Sequence, residues 1–157
     1  MAKQYYVTKY TYATHSQRLI NFFIDAFIAS LLLFFFILLE FKLGSAHLYK
    51  WFASMNLIEE LFLGNIHIVI YCLIGELFFG TTIGKLISRC KIVDTYGEKP
   101  TKQSMVTRSI ARLIPFEIFS FLTEYCRGWH DKLSHTYVVD IETFNEEVKE
   151  FNEEQLN

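Results

Sequence analysis

The sequence predicts an all-α membrane protein with two transmembrane helices, an amphipathic, Pro-bent interfacial helix and a small cytoplasmic β ribbon. Three observations predict this fold. The apolar residues, 52% of the chain, concentrate in two blocks, residues 18–40 and 60–80, each of a length that crosses a bilayer. Each block contains one acidic residue well inside it. Two short β-branched segments follow, one on each side of a third helical segment.

Length and charge restrict the kind of protein. A chain of 157 residues indicates one domain, and a net charge of −2 gives no reason to expect nucleic acid as a partner. The three cysteines are odd in number and scattered, which is typical of a reducing compartment rather than of a disulfide framework. We divide the chain into a cytoplasmic arm (1–17), a membrane domain (18–141) and an acidic tail (142–157).

The first apolar block carries the most informative residue. At 1.5 Å per residue, residues 18–39 would extend about 30 Å, the thickness of the hydrocarbon core. Asp25 lies inside this block, where a carboxylate costs about 3 kcal/mol or more. A cleaved signal peptide is the less favoured interpretation, because Asp25 directly precedes the most apolar run and a second apolar block follows.

The second block again has spanning length and contains Glu76. A buried helix of a soluble protein is the alternative, and two such blocks in so small a chain make it the weaker one. The motif that follows, Gly80 to Lys85, is similar to a phosphate-binding loop, but it is one residue short and has Leu86 where a Ser or Thr would hold magnesium. We therefore expect Gly80 and Gly84 to allow close packing or to form a turn.

The remaining segments are shorter. Residues 90–94 and 136–141 predict two strands that pair as an antiparallel ribbon. Residues 103–125 predict a helix that Pro115 bends, too interrupted by charge to cross a bilayer and therefore interfacial. In the acidic tail, Phe144, Val148 and Phe151 recur at helical spacing. A short surface helix and a solvated tail both remain open, and the acidic composition favours the tail.

The basic residues predict the orientation. They are concentrated in the arm and in residues 80–102, and few lie in residues 40–60 between the apolar blocks. The positive-inside rule then places both termini in the cytoplasm of a multi-pass protein of the cell membrane.

Helical spacing gathers the polar residues of the membrane segments. Arg18, Asn21 and Asp25 share one face of the first helix, and Asn65, Cys72 and Glu76 share one face of the second, with His67 pointing nearly the opposite way. Two nearby carboxylates repel unless cations separate them. The candidates are the guanidinium groups of Arg18, Arg108 and Arg112, which can bridge carboxylates. The cluster predicts an ion, proton or ligand site, and a structural ion-pair network is the alternative.

Neither an enzyme nor a metal site emerges from the sequence. No nucleophile and base can be paired from position alone, so no catalytic residues are expected. Cys126, His130 and His135 surround Asp131, but their spacing is not that of a usual zinc motif. We expect no metal and no cofactor.

Four stretches together resemble the RDD family of small, mainly bacterial membrane proteins: QRLINFFID, GTTIGKLISRCKIVDTYGEKPT, RSIARLIPFEIFSF and RGWHDKLSHTYVV. The family is named for one arginine and two aspartates, which match Arg18, Asp25 and Asp131. The resemblance covers residues 14–141, and it departs at His135, where the family more often has glycine.

The resemblance implies a membrane protein with a transport-related role, and a few members have been linked to sodium–proton exchange. It adds Asp131 to the candidate site. Two spans cannot enclose a pathway, so transport of a cation, a proton or an unknown ligand would need a homo-oligomer or a membrane protein partner. The alternative is a membrane scaffold or accessory protein that does not transport and whose charged residues are structural.

Overall fold

The computed structural model describes residues 4–114 and 127–156, which are mostly helical and include one two-stranded sheet. The helices are α1 (His15–Lys42), α2 (His47–Ala53), α3 (Leu57–Leu63), α4 (Ile66–Ile74), α5 (Ile83–Ile87), α6 (Lys102–Ala111), α7 (Trp129–Leu133) and α8 (Ile141–Leu156). The strands are β1 (Cys90–Val93) and β2 (Tyr137–Asp140). A π-helical turn, Gly75–Phe79, continues α4.

Helix α1 is the predicted first apolar segment. It begins at a capping box, in which the Thr14 hydroxyl accepts from the Gln17 backbone N–H and the Gln17 side chain accepts from the Thr14 N–H. Among the described residues, α1 is the one helix both long and apolar enough to cross a membrane. Its buried positions lie on one face at helical spacing, as the sequence predicts: Arg18, Asn21, Asp25 and Ala29.

The second apolar block is not one continuous helix. It consists of α3 and α4, with Gly64 and Asn65 between them. The backbone stays close to helical there, with φ −56° and ψ −30° at Gly64 and φ −91° and ψ 6° at Asn65. Residues 66–79, which comprise α4 and the π-helical turn, are apolar but too short to count as a span on their own. The predicted second span is therefore interrupted near its start.

Helix α4 lies antiparallel to α1, as two hydrogen bonds show. The Ser30 hydroxyl lies 3.3 Å from His67 Nε2, and the Tyr71 hydroxyl lies 3.3 Å from Asp25 Oδ1. His67, predicted to point nearly opposite to Cys72 and Glu76, contacts α1 through Ser30, since α4 is contacted by both α1 and α6. Cys72 and Glu76 are both buried, whereas Asn65, predicted to share their face, is exposed because it precedes the first turn of α4.

The β ribbon forms as predicted. Strands β1 and β2 pair antiparallel, with Cys90 opposite Asp140 and Val93 opposite Tyr137. The N-terminal arm lines the ribbon, since the Ala13 N–H donates to the Val138 carbonyl at 3.0 Å. The arm is thereby fixed beside the first turn of α1.

The acidic tail is a helix, so the favoured prediction of a solvated tail is wrong. Asp140 begins α8 by accepting hydrogen bonds from the backbone of Glu142 and Thr143, both at 3.1 Å. Phe144 is 5% exposed and packs edge-on against the Tyr5 ring. The apolar stripe of the tail finds its partner in the N-terminal arm, and this contact stabilises the helix despite its charge.

The third helical segment is described only over α6 and the residues up to Ile114. The predicted bend at Pro115 and the rest of that segment lie outside the described residues. Arg108 is buried on α6, and Arg112 follows at its C-terminal end. Both guanidinium groups point toward the same acidic residue, Glu76, as their predicted common face implies.

Candidate functional site

Six buried charged side chains form a closed alternation of acids and bases, which we call the charge ring. None exposes more than 7% of its side chain. In order around the ring they are Asp25, Lys85, Glu76, Arg108, Asp131 and Arg18. The ring closes because Arg18 and Asp25 both belong to α1, about two turns apart. It joins α1, α5, the π-helical turn, α6 and α7.

Asp25 is held mainly by neutral donors. Its Oδ1 accepts from the Gly84 N–H at 2.8 Å and from the Tyr71 hydroxyl at 3.3 Å, and its Oδ2 accepts from the Thr82 hydroxyl at 2.6 Å. The nearest cation is the Lys85 ammonium, 3.9 Å from Oδ2. The three arginines predicted as its partners are recorded instead at the other two acids, Arg18 and Arg108 at Asp131, and Arg108 and Arg112 at Glu76.

Gly84 makes this arrangement sterically possible. A Cβ at this position would lie 2.6 Å from the Asn21 carbonyl oxygen and 2.8 Å from Asp25 Oδ1. The predicted role of Gly84 in close packing is therefore confirmed. Asn21 lies beside the ring on the same face of α1, where its side-chain oxygen accepts a hydrogen bond from the Ser88 hydroxyl.

Glu76 collects three cations. Its Oε1 lies 3.1 Å from Lys85 Nζ and 2.7 Å from Arg112 Nη2, and its Oε2 lies 3.5 Å from Arg108 Nε. Lys85 also donates to the Thr82 hydroxyl oxygen at 3.0 Å. The predicted cation between the two carboxylates of the membrane segments is present, but it is a lysine. Lys85 thus contacts both Glu76 and the Thr82 hydroxyl group, which itself donates to Asp25.

Asp131 is the acid with the tightest arginine contacts. Arg18 Nη1 lies 2.5 Å from its Oδ2, Arg108 donates to its Oδ1, and the Gly128 N–H caps Oδ2 at 3.2 Å. His130 Nε2 lies 3.1 Å from Oδ1. Burial by itself would raise the pKa of Asp131, but the Arg108 and Arg18 guanidinium groups hold that pKa well below its usual value.

The structure therefore brings all seven residues singled out from the sequence into one buried cluster, with different pairings from those expected. They are Arg18, Asn21, Asp25, Glu76, Arg108, Arg112 and Asp131. Sequence reasoning missed Lys85, Thr82 and Tyr71. The signal for Lys85 and Thr82 is the glycine-flanked motif at residues 80–85, whose likeness to a phosphate-binding loop does not indicate contacts with Asp25 or Glu76.

The histidines and cysteine considered for a metal site are placed differently. No group of three potential metal ligands occurs within residues 4–114 and 127–156. His130 is occupied by Asp131, and Cys126 lies outside that part of the chain. His135 has φ 52°, a left-handed conformation that glycine adopts without strain. This conformation fits the glycine that the family resemblance implies at this position.

One comparison with known proteins agrees with the resemblance in the sequence, and two found no match. The chain has no significant match among curated proteins or among solved structures. The model of the RDD family, a family of membrane proteins, matches residues 12–135, a segment that contains every member of the charge ring. The match covers most of the chain, and we conclude that this protein belongs to the RDD family.

Proposed function

We propose that this chain is a small integral protein of the cell membrane in which the Asp25–Lys85–Glu76 part of the charge ring exchanges a monovalent cation for a proton. The observation that carries the proposal is the position of the Lys85 ammonium, 3.1 Å from Glu76 and 3.9 Å from Asp25. A buried, proton-bearing group thus lies between two carboxylates.

The chemistry of these residues differs from that of a fixed ion pair. A guanidinium group stays charged in proteins, whereas an ammonium group can release a proton. Around Asp25, the Thr82 and Tyr71 hydroxyl oxygens and the carboxylate supply the oxygen ligands that hard cations prefer. A cation that enters beside Asp25 would be balanced by the proton that Lys85 releases, so the charge of the site would not change.

The proposal includes a membrane topology of two spans. Helix α1 provides one span, and α3, α4 and the π-helical turn provide the other, bent at Gly64 and Asn65. Residues 57–79 would extend about 34 Å at helical rise, enough to cross the hydrocarbon. By the positive-inside rule, the basic residues favour an orientation with both termini in the cytoplasm, in which the charge ring would lie at the cytoplasmic end of the spans. Two spans cannot enclose a pathway, so the working unit would be a homo-oligomer.

A structural role is the second candidate, and one observation favours it. The ring begins and ends on α1 and connects five separate elements. Such a network would hold the ribbon and the short helices against the membrane segments. The protein would then be a scaffold or accessory factor that transports nothing.

Vesicles with an internal pH indicator separate the two candidates. The purified protein is reconstituted, sodium or potassium is added outside, and the change in internal pH is recorded. We expect the parent to move protons, Asp25→Asn to reduce the rate at least tenfold, and Glu150→Gln, a change on the exposed side of α8, to leave it unaltered. Undiminished flux in folded Asp25→Asn would contradict exchange at this site. Absence of flux in the parent, together with a less stable Asp25→Asn variant, would favour the scaffold.

A further inference from the structure

Helix α5 has the reverse of the polarity that a helix of a water-soluble protein shows. Its inward positions are Gly84 and Lys85, both buried against the charge ring. Its outward positions are Ile83, Leu86 and Ile87, which are 46%, 61% and 61% exposed. A surface helix in water turns its apolar face inward and its charged residues outward. The environment outside α5 is therefore apolar.

The position of α5 along α1 shows what that environment is. Gly84 packs against Asn21 and Asp25, while the Ser88 carbonyl accepts from Gln17 at 3.3 Å, so α5 runs back along the first turns of α1. At the same level, outward side chains of α1 and of the π-helical turn are also apolar and exposed. These are Leu19, Ile20, Phe23, Phe78 and Phe79.

We infer that α5 is an interfacial helix that inserts Ile83, Leu86 and Ile87 among the acyl chains of the leaflet in which α1 begins. The inference rests on the proposed span of α1, not on transport. If α1 crosses the bilayer, the residues beside Asp25 lie below the headgroups, and α5 lies at the same depth. The exposed Arg89 follows directly, where the chain returns to the polar surface and β1 begins.

This placement links the bilayer to the charge ring. The same five-residue helix carries the lipid-facing side chains outward and Lys85 inward.

Tryptophan quenching by lipids brominated on their acyl chains tests the inference. Trp51 and Trp129 are first replaced by phenylalanine, and single tryptophans are then introduced as Leu86→Trp, Phe27→Trp on the exposed side of α1, and Tyr96→Trp in the turn after β1. We expect strong quenching of Leu86→Trp and Phe27→Trp, and severalfold weaker quenching of Tyr96→Trp.

Two outcomes would overturn the inference, and they are distinguishable. Quenching of Phe27→Trp without quenching of Leu86→Trp would refute the insertion of α5 but leave the span of α1 intact, and a blue-shifted Leu86→Trp would then point to coverage by protein. Absence of quenching at both positions would refute the membrane topology as well.

Discussion

The two halves of the charge ring are built around different cations: Arg18, Asp131 and Arg108 form the arginine half, and Asp25, Lys85 and Glu76 form the lysine half. In the arginine half, Asp131 is gripped by Arg18 at 2.5 Å and by Arg108. In the lysine half, Asp25 is held by two hydroxyl groups and a backbone N–H, with the Lys85 ammonium at 3.9 Å. The arginine half carries guanidinium groups, which stay charged in proteins, and our proposal assigns the exchanged proton to the ammonium group of the lysine half.

We expect the two halves to contribute differently to stability and to the response to ions. Removal of one partner from a buried ion pair leaves the other charge unpaired, which is costly. Asp131 neutralises two buried guanidinium groups, and these come from α1 and α6. The arginine half should therefore dominate the stability of the fold, whereas the lysine half should dominate the response to ions.

The largest effect on stability is expected from Asp131→Asn. This change leaves the buried Arg18 and Arg108 without the carboxylate between them, so the free energy of unfolding should fall by about 3–5 kcal/mol. Thermal or denaturant unfolding in detergent, followed by circular dichroism, measures this. Glu153→Gln, which removes an exposed pair with Lys149 at 3.8 Å, is the control and should change stability by less than about 0.5 kcal/mol. Equal effects of the two changes would show that the arginine half does not stabilise the fold.

A smaller loss is expected from Lys85→Met in the lysine half. Glu76 keeps Arg108 and Arg112, and Asp25 keeps its three hydrogen bonds, so about 1.5–3 kcal/mol should be lost. The same unfolding measurement applies. If Lys85→Met destabilised the protein more than Asp131→Asn did, the assignment of stability to the arginine half would be wrong.

The smallest effect is a dependence of stability on pH. The pKa of Asp131 is lower in the folded protein than in the unfolded chain, so its stabilising contribution is complete above an unfolded pKa of about 3.9. Below that pH the unfolded chain binds the extra proton, and stability should fall by up to about 1.4 kcal/mol per pH unit. Unfolding midpoints recorded from pH 7 to pH 3 should therefore stay level and then drop.

Asp140 supplies the control for this pH dependence. Slight burial would raise its pKa, but hydrogen bonds from the Thr143 backbone and the Gln17 amide lower it, so it adds its own acid-labile contribution. Asp140→Asn should remove only that part of the drop, and Asp131→Asn should remove a further part. A drop unaltered by Asp131→Asn would mean that other carboxylates cause it.

Residues within one element were predictable from the sequence, because helical and strand spacing determines which side chains share a face. Spacing predicted the common buried face of Arg18, Asn21 and Asp25, and the β-branched segments predicted the ribbon. The close packing at Gly84 was also predictable, because a residue without a side chain lets two backbones approach closely.

Contacts between distant elements were not predictable in this way. Several basic residues could have reached Asp25, and only the path of the chain after Phe79 brings Lys85 there rather than an arginine. The helix of the acidic tail depends on Tyr5, whose hydroxyl donates to Glu147 from the other end of the chain. Such contacts follow from tertiary packing, which overrides local composition.

The central claim, that the Lys85 proton is exchanged, is tested most directly by Lys85→Arg in the vesicle assay. Arginine keeps the positive charge between Asp25 and Glu76 but does not release a proton. With unfolding measurements showing a folded protein, we expect cation-driven proton flux to fall at least tenfold in Lys85→Arg and to persist in Arg18→Lys, which changes a contact of Asp131 in the arginine half. Parental flux in a folded Lys85→Arg variant would contradict the account.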